Sequence, residues 1–299
     1  MASSIRGYTV SRNPPDGDDA GLETVDDSAE NRTPNRTADE GRATRFDDRD
    51  EAVDPTAFVD GVVETALSDP VSAGDTVGDL LVIVRDCGDE ARRAAGEALD
   101  LLGLLRPVEF EVWADDIAAC AAADAESLSF VGMRALAQLA AVHPAAARKG
   151  LDAAVRRLET PHVPTRRAAL AVVGEVGEAF PEAVARTDRQ VTAAMRDGDA
   201  TVRLAGVMAA GKLLGAEPRR FPRTVTALPE ALSDDDGDVW TYAHVSLVHF
   251  AREHPSQVPE RRRVVERLAD VSDAELGVRE GSTKDALTGL LAYEPGFDL

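Results

Sequence analysis

The chain of 299 residues is poor in cysteine, aromatic residues and lysine, and it has no long hydrophobic run. Its two cysteines, Cys87 and Cys120, cannot by themselves form a disulfide framework or a zinc site. No stretch approaches the ~18–20 apolar residues of a membrane span, and residues 1–19 lack the apolar core of a secretory signal peptide. These absences exclude a disulfide-rich secreted domain and predict a cytoplasmic protein in a reducing setting.

Negative charge dominates the composition. Asp and Glu number 54 against 33 Lys and Arg, which gives a formal net charge of -21, and only three of the basic residues are lysine. This balance argues against a dedicated nucleic-acid binder, whose footprint is basic. A dense carboxylate surface is typical of proteins that work in molar salt, where the Debye length shrinks to roughly 3 Å. We therefore expect a halophilic protein, with recruitment of a basic partner as the alternative.

The first 52 residues differ from the rest of the chain. They contain 13 acidic residues, seven arginines and three prolines, and their few apolar residues follow neither a helical nor a strand period. Such a segment cannot bury enough surface to offset its chain entropy. We expect residues 1–52 to form a disordered tail, with a docking peptide around Ile5–Val10 as the alternative, and residues 53–299 to form the folded domain.

Proline recurs at one spacing along the folded domain. The interval is 37 residues between successive members of the series Pro70, Pro107, Pro144, Pro181, Pro218 and Pro255. Around each proline, apolar residues hold fixed places twelve, eight and five residues before it and seven, ten and fourteen after it, as in amphipathic helices. Small residues, among them Gly132 and Gly206, hold the place twelve before the proline and favour close helix packing. Each unit is therefore predicted to contain two helices, and the folded domain is predicted to be an all-α solenoid.

The turn between the two helices of a unit carries a second pattern. Asp197 precedes Thr201-Val202-Arg203, and Asp86 precedes Ala91-Arg92, with the same separation from Asp to Arg in both units. In this the chain resembles HEAT repeats, and the resemblance covers about residues 53–295. It implies a right-handed α-solenoid and a structural Asp–Arg ladder formed by Asp86, Arg92, Asp197 and Arg203.

The chain also departs from the HEAT pattern. Thr160 stands where Arg166 should have its Asp, and Trp240 stands where Asp234 should have its Arg. The period is shorter than the ~40–47 residues of HEAT and armadillo repeats. We expect six helix pairs and a C-terminal capping helix over residues 274–293, about 13 helices in all.

The sequence contains no pattern of residues typical of an active site. His244, His249 and His254 are five residues apart, so each is turned about 140° from the next on a helix and they share no face. The chain has no phosphate-binding glycine loop and no Gly-x-Ser-x-Gly motif. We therefore expect neither catalytic residues, nor a metal site, nor a cofactor, and predict that the protein is not an enzyme.

The second helix of each unit has positions that the repeat does not use for packing. In a solenoid these positions line the concave face, and here they mix charged residues with apolar anchors, as protein interfaces do. The predicted partner-binding residues are Trp240, Met208, Phe130, Arg134, Arg167, Lys212, His249 and Arg252. For Trp240, packing between repeats is an equal alternative.

The predicted function is a scaffold that binds a protein or peptide on this concave face. Arginine pairs recur at similar repeat positions, so a nucleic-acid-associated protein similar to the HEAT-like DNA glycosylases is the alternative, although the aromatic and carboxylate pocket of those enzymes is missing. A HEAT-like lyase or modification-enzyme subunit is a third possibility.

Overall fold

The computed structural model describes residues 54–292, so the predicted tail at residues 1–52 lies outside the described residues. Every regular element in the described range is helical. The α-helices are α1 (Pro55–Ser68), α2 (Pro70–Gly74), α3 (Val77–Asp86), α4 (Asp89–Leu105), α5 (Ala114–Ala122), α6 (Glu126–Val142), α7 (Pro144–Ala147), α8 (Leu151–Arg157), α9 (Val163–Ala179), α10 (Pro181–Val184), α11 (Asp188–Ala194), α12 (Ala200–Ala216), α13 (Pro222–Ala227), α14 (Gly237–Glu253), α15 (Arg261–Ala269), α16 (Asp273–Leu276) and α17 (Ser282–Ala292). Short 3-10 helices lie between them at Pro107–Trp113, Arg148–Gly150, Ala185–Thr187, Pro218–Arg220, Leu228–Ser233 and Pro255–Gln257.

The 37-residue period is visible in the second helix of each repeat. Helices α4, α6, α9, α12 and α14 are each 17 residues long, and each begins 37 residues after the one before. All six repeat prolines occupy the first turn of the helical segment that follows, where a missing N–H costs little. The predicted all-α solenoid of helix pairs is confirmed.

The first helix of most repeats is not one continuous helix. Residues 54–292 therefore contain 17 α-helical segments rather than the predicted 13 or so. In two repeats a threonine contributes to the break: Thr76 donates a hydrogen bond from Oγ1 to the carbonyl oxygen of Ala73, and Thr187 does the same to Val184, both at 2.7 Å. Such bonds to an earlier turn compete with the backbone ladder and bend a helix.

The core lies between the two helices of each repeat and between neighbouring repeats. Its largest fully buried side chains include Phe110, Phe221 and Phe250. At Gly132 of α6 the backbone of the preceding helix comes so close that a Cβ atom would lie 2.2 Å from the amide nitrogen of Ala121. The predicted close packing at the small-residue positions is therefore present.

The C-terminal end departs from the period. Ser272 and Glu275 form a capping box at the start of α16, and Asp273 accepts hydrogen bonds from the backbone nitrogens of Gly281 and Thr283. Gly277 and Gly281 both have positive φ angles, 64° and 86°, which glycine adopts without a steric penalty. These bonds fix the turn that leads into α17, near the predicted capping helix.

Candidate interaction surface

The helices α4, α6, α9, α12 and α14 present one side to solvent. We call this side the B-face. It consists of the places fourteen, ten, six and three residues before each repeat proline, for example those of Phe130, Arg134, Lys212 and Arg252. Of the predicted contact residues, Arg167, Met208 and His249 are exposed on it, and Phe130, Arg134, Lys212 and Arg252 are half-buried. Met208 keeps 41% of its surface exposed, although it is a large apolar residue. Seven of the eight predicted residues are thus accessible, and their spacing of three or four residues puts them on one side of their own helices.

Two basic residues of the B-face are held by acidic residues of neighbouring repeats. Lys212 of α12 donates hydrogen bonds from Nζ to Glu175 and Glu178 of α9, at 2.7 and 2.8 Å. Arg134 of α6 forms an ion pair with Asp100 of α4. These pairs tie adjacent helices together, so the charged groups are fixed before any partner arrives.

Lys212 stays protonated at neutral pH. Desolvation lowers its pKa, but the hydrogen bonds and negative charges of Glu175 and Glu178 outweigh desolvation and hold the pKa above its usual value. Glu175 and Lys212 occupy the same place in consecutive repeats. Opposite charges at one repeat position are the sequence signal for this contact.

An apolar row runs between these charged groups. Ala171, Leu204, Met208 and Val245 lie on α9, α12 and α14, each exposed or half-buried. At one end of the face, the guanidinium carbon of Arg134 lies 5.2 Å from the ring centre of Phe130, and His162 makes an edge contact with the same ring, also at 5.2 Å. The B-face therefore combines apolar side chains with fixed charges.

His249 and Arg252 lie at the far end of the B-face. Desolvation by the surrounding protein, and then the positive charge of Arg252, lower the pKa of His249 below its usual value although part of the ring is exposed. Arg252 lies 3.9 Å from Asp285 of α17. His249 is therefore neutral at pH 7 and offers hydrogen-bonding nitrogens instead of a charge.

The arginine ladder exists, but it links neighbouring repeats. Arg203 donates from Nε and from a terminal nitrogen to the carboxylate of Asp234 in the next repeat, at 2.8 and 2.9 Å. Its other terminal nitrogen donates to the backbone oxygens of Asp197 and Gly198. The carboxylate of Asp197 accepts from Arg166 of the preceding repeat. The pairing of Arg203 with the carboxylate of Asp197 was wrong, because the side chain extends across the repeat boundary.

The first predicted pair is also corrected. Asp86 is exposed and binds its neighbour Arg85. Arg92 donates to the carbonyl oxygens of Val84 and Cys87 and to the carboxylate of Asp89. Arg92 therefore closes the turn between α3 and α4 through backbone groups, which sequence spacing alone does not distinguish from a carboxylate contact.

Trp240 lies at the end of this ladder and not at one of the exposed positions of the B-face. It occupies the repeat position of Arg166 and Arg203, is half-buried, and packs against the core. Its ring lies 4.1 Å from that of buried His244, whose Nδ1 is 2.8 Å from the Trp240 carbonyl oxygen. Val271 stands where the next repeat would have its Asp. Where the ladder ends, Trp240 and Val271 therefore occupy the two positions that hold an Arg and an Asp in the repeat before.

Within residues 54–292, no group of three or more His, Cys, Asp or Glu side chains is arranged to hold a metal ion. None of the helices described is long and apolar enough to cross a membrane.

No family model matches the chain, and no curated protein sequence matches it. Solved structures do resemble it. An engineered protein matches with a TM-score of 0.61 and 14% identity, over 72% of this chain and 96% of that one. A designed armadillo repeat protein in complex with the peptide (KR)4 matches with a TM-score of 0.57 and 12% identity, over 71% and 98% of the two chains.

An archaeal HEAT-like repeats protein from Thermococcus onnurineus NA1 extends the match. It covers 81% of this chain and 98% of its own, with a TM-score of 0.53 and 16% identity. At these identities the comparisons show the fold and nothing finer. The chain has a HEAT-like, armadillo-like repeat fold.

Proposed function

We propose that the protein is a non-enzymatic scaffold that binds a protein or peptide segment along the B-face. The observation that carries the proposal is the apolar row of Leu204, Met208 and Val245, which stays accessible between charged groups on helices of equal length. Interfaces combine apolar anchors with such a polar surround. The peptide complex of the designed armadillo protein is a precedent for this mode of binding on a similar fold.

Rigidity supports the proposal. Lys212 is held by two glutamates of α9 in the preceding repeat, and Arg134 is paired with Asp100, so little side-chain entropy is lost when a partner binds. The same ion pairs leave fewer free positive charges for phosphate groups. Protein recognition therefore fits the B-face better than nucleic-acid recognition does.

Replacing Met208 tests the binding role. Met208→Ser should reduce partner capture in a quantitative pull-down, by about tenfold or more if Met208 is a central anchor. Because the side chain is 41% exposed, the free energy of unfolding should change by less than about 1 kcal/mol. Ala269→Ser, at an exposed residue of α15 outside the B-face, is the control. Equal loss in both variants, or DNA binding with a steep salt dependence, would contradict the proposal.

We also propose that the protein works in a salt-rich cytoplasm. The net charge of -21 makes the compact state repel itself unless ions screen it. The thermal midpoint should therefore rise as KCl increases from about 0.1 M, where the Debye length is ~10 Å, to about 1 M, where it is ~3 Å. Thermal unfolding followed by circular dichroism measures this, and a midpoint that stays flat or falls would contradict the halophilic assignment.

A further inference from the structure

Most of the large exposed apolar residues in the described range lie outside the B-face, at the junctions of the first repeats. They stand at the ends of α1, α4 and α6 and in the helical segments that begin at Pro70 and Pro107. We call them the edge patch: Leu67, Val71, Leu104, Leu105, Val108, Val112 and Val142, which are 41–73% exposed. Patches of this kind on a soluble surface mark interaction sites.

The repeat brings these residues together. Leu104 follows Leu67 by 37 residues, and Val108 follows Val71 by the same interval, so each pair occupies equivalent places in neighbouring repeats. The boundary between those repeats is closely packed: a Cβ atom on Gly74 would lie 2.7 Å from the Cγ of Glu109. Packed helices lie about 8–10 Å apart, so the pairs form one continuous surface across the boundary.

The repeat fold does not require these aliphatic residues. At the places equivalent to Leu104, the following repeats have Ala141, Glu178 and Gly215. At the places equivalent to Val108 they have Ala145, Glu182 and Arg219. The apolar character is thus confined to the start of the solenoid, and packing between repeats does not account for it.

The surround of the edge patch is acidic. No lysine or arginine occurs over residues 54–84 or 107–133. Arg106, which lies between Leu105 and Val108, is bound to Glu109 at 2.6 Å. Exposed carboxylates lie close in sequence to the aliphatic side chains, at Glu64, Asp69, Asp75 and Glu111. A second copy of this chain would bring the same negative charge against them and be repelled.

We propose that the edge patch is a second docking site, and that its partner is a basic amphipathic helix. Aliphatic side chains at helical spacing would lie on Leu67, Leu104 and Val108, as in other helix-on-groove complexes. Lysine or arginine on the flanks of that helix would meet the carboxylates. This site is separate from the B-face and does not depend on the function proposed for it.

A labelled synthetic peptide of leucine and lysine, LKKLLKLLKKLLKL, probes the site. The full chain is titrated by fluorescence anisotropy at a KCl concentration at which its circular dichroism remains helical. The wild type should bind the peptide, and the triple variant Leu67→Gln, Leu104→Gln, Val108→Gln should bind it about tenfold or more weakly. Because all three side chains are exposed, the variant should keep its helical spectrum and thermal midpoint.

Three controls show whether the peptide binds at the edge patch and by the chemistry proposed. Ala269→Gln, at an exposed position of α15 that belongs to neither the edge patch nor the B-face, should leave peptide binding unchanged. The same peptide with serine in place of leucine, and one with glutamate in place of lysine, should both bind much more weakly. Equal binding of the serine peptide, equal loss in Ala269→Gln, or no binding to the wild type would overturn the proposal. So would a wild type that sediments as a dimer when the triple variant is a monomer, because a second copy would then occupy the patch.

Discussion

Gly132→Ala should lower the free energy of unfolding by about 3 kcal/mol or more, at the upper end of the usual cost of overpacking. The added Cβ atom would lie 2.2 Å from the amide nitrogen of Ala121 and 2.5 Å from the carbonyl carbon of Cys120. Both atoms belong to the backbone of α5, so no side chain can rotate away and the two helices must separate. Chemical denaturation of the variant and the wild type under one buffer measures the difference.

Gly61→Ala is the control with the opposite expected sign. Gly61 lies inside α1, and nothing lies within 4 Å of the place its Cβ atom would take. Alanine there should stabilise the protein by about 0.5–1 kcal/mol, because glycine loses more conformational freedom in a helix. If Gly132→Ala were as well tolerated as Gly61→Ala, the close approach of α5 and α6 would be wrong.

The second large effect is expected at the ladder. Asp234→Asn should cost about 2 kcal/mol at neutral pH, since Arg203 loses a charged partner that it binds through two nitrogens. The side chains of Arg203 and Asp234 are only 16% and 10% exposed, so water replaces the lost bonds poorly. Asparagine can still accept the turn hydrogen bond that Asp234 takes from the Asp236 nitrogen. Asp235→Asn is the control, because Asp235 also bonds Arg203 but is 96% exposed and should contribute little.

Acid should remove the difference between Asp234→Asn and the wild type. The hydrogen bond from Arg203 holds the pKa of Asp234 below its ordinary 3.8 in the folded state. A carboxyl group with a lowered folded pKa contributes its full stability above its unfolded pKa and loses it as the pH falls through the folded value. Urea unfolding measured from pH 7 downward should therefore show a constant difference in unfolding free energy between the variant and the wild type to about pH 4. Below that pH the difference should shrink. A gap that persists in acid would contradict the ionic pairing.

Much of the fold could be predicted from the residues because the period is strict. Proline and the apolar places around it recur every 37 residues, and this gives the helix pairs and the positions of the long helices. The breaks in the first helices could not be read from hydrophobic spacing. In two repeats a local threonine bond contributes to the break, such as that of Thr187 to the Val184 carbonyl oxygen, and such a bond leaves the apolar pattern unchanged.

The surface was harder to predict than the core. Spacing identified Arg203 and Asp197 as ladder residues but paired them within one repeat, because a sequence does not show which way a long side chain extends. Trp240 showed the same difficulty: its size suggested an exposed anchor, while its position beside buried His244 favours a packing role. Met208, with a shorter side chain on an unused helix position, was placed on the exposed face from its spacing.

The contacts between repeats join residues that are close to each other in the sequence, and this affects how the chain folds. Arg203 reaches Asp234 over 31 residues, and Lys212 reaches Glu175 over 37. Contacts of this range form without closing long loops, and loop closure is what slows chains with distant pairings. Folding can therefore begin at any adjacent pair of repeats and spread outward, so a chain emerging from the ribosome can form its first repeats before the last are made.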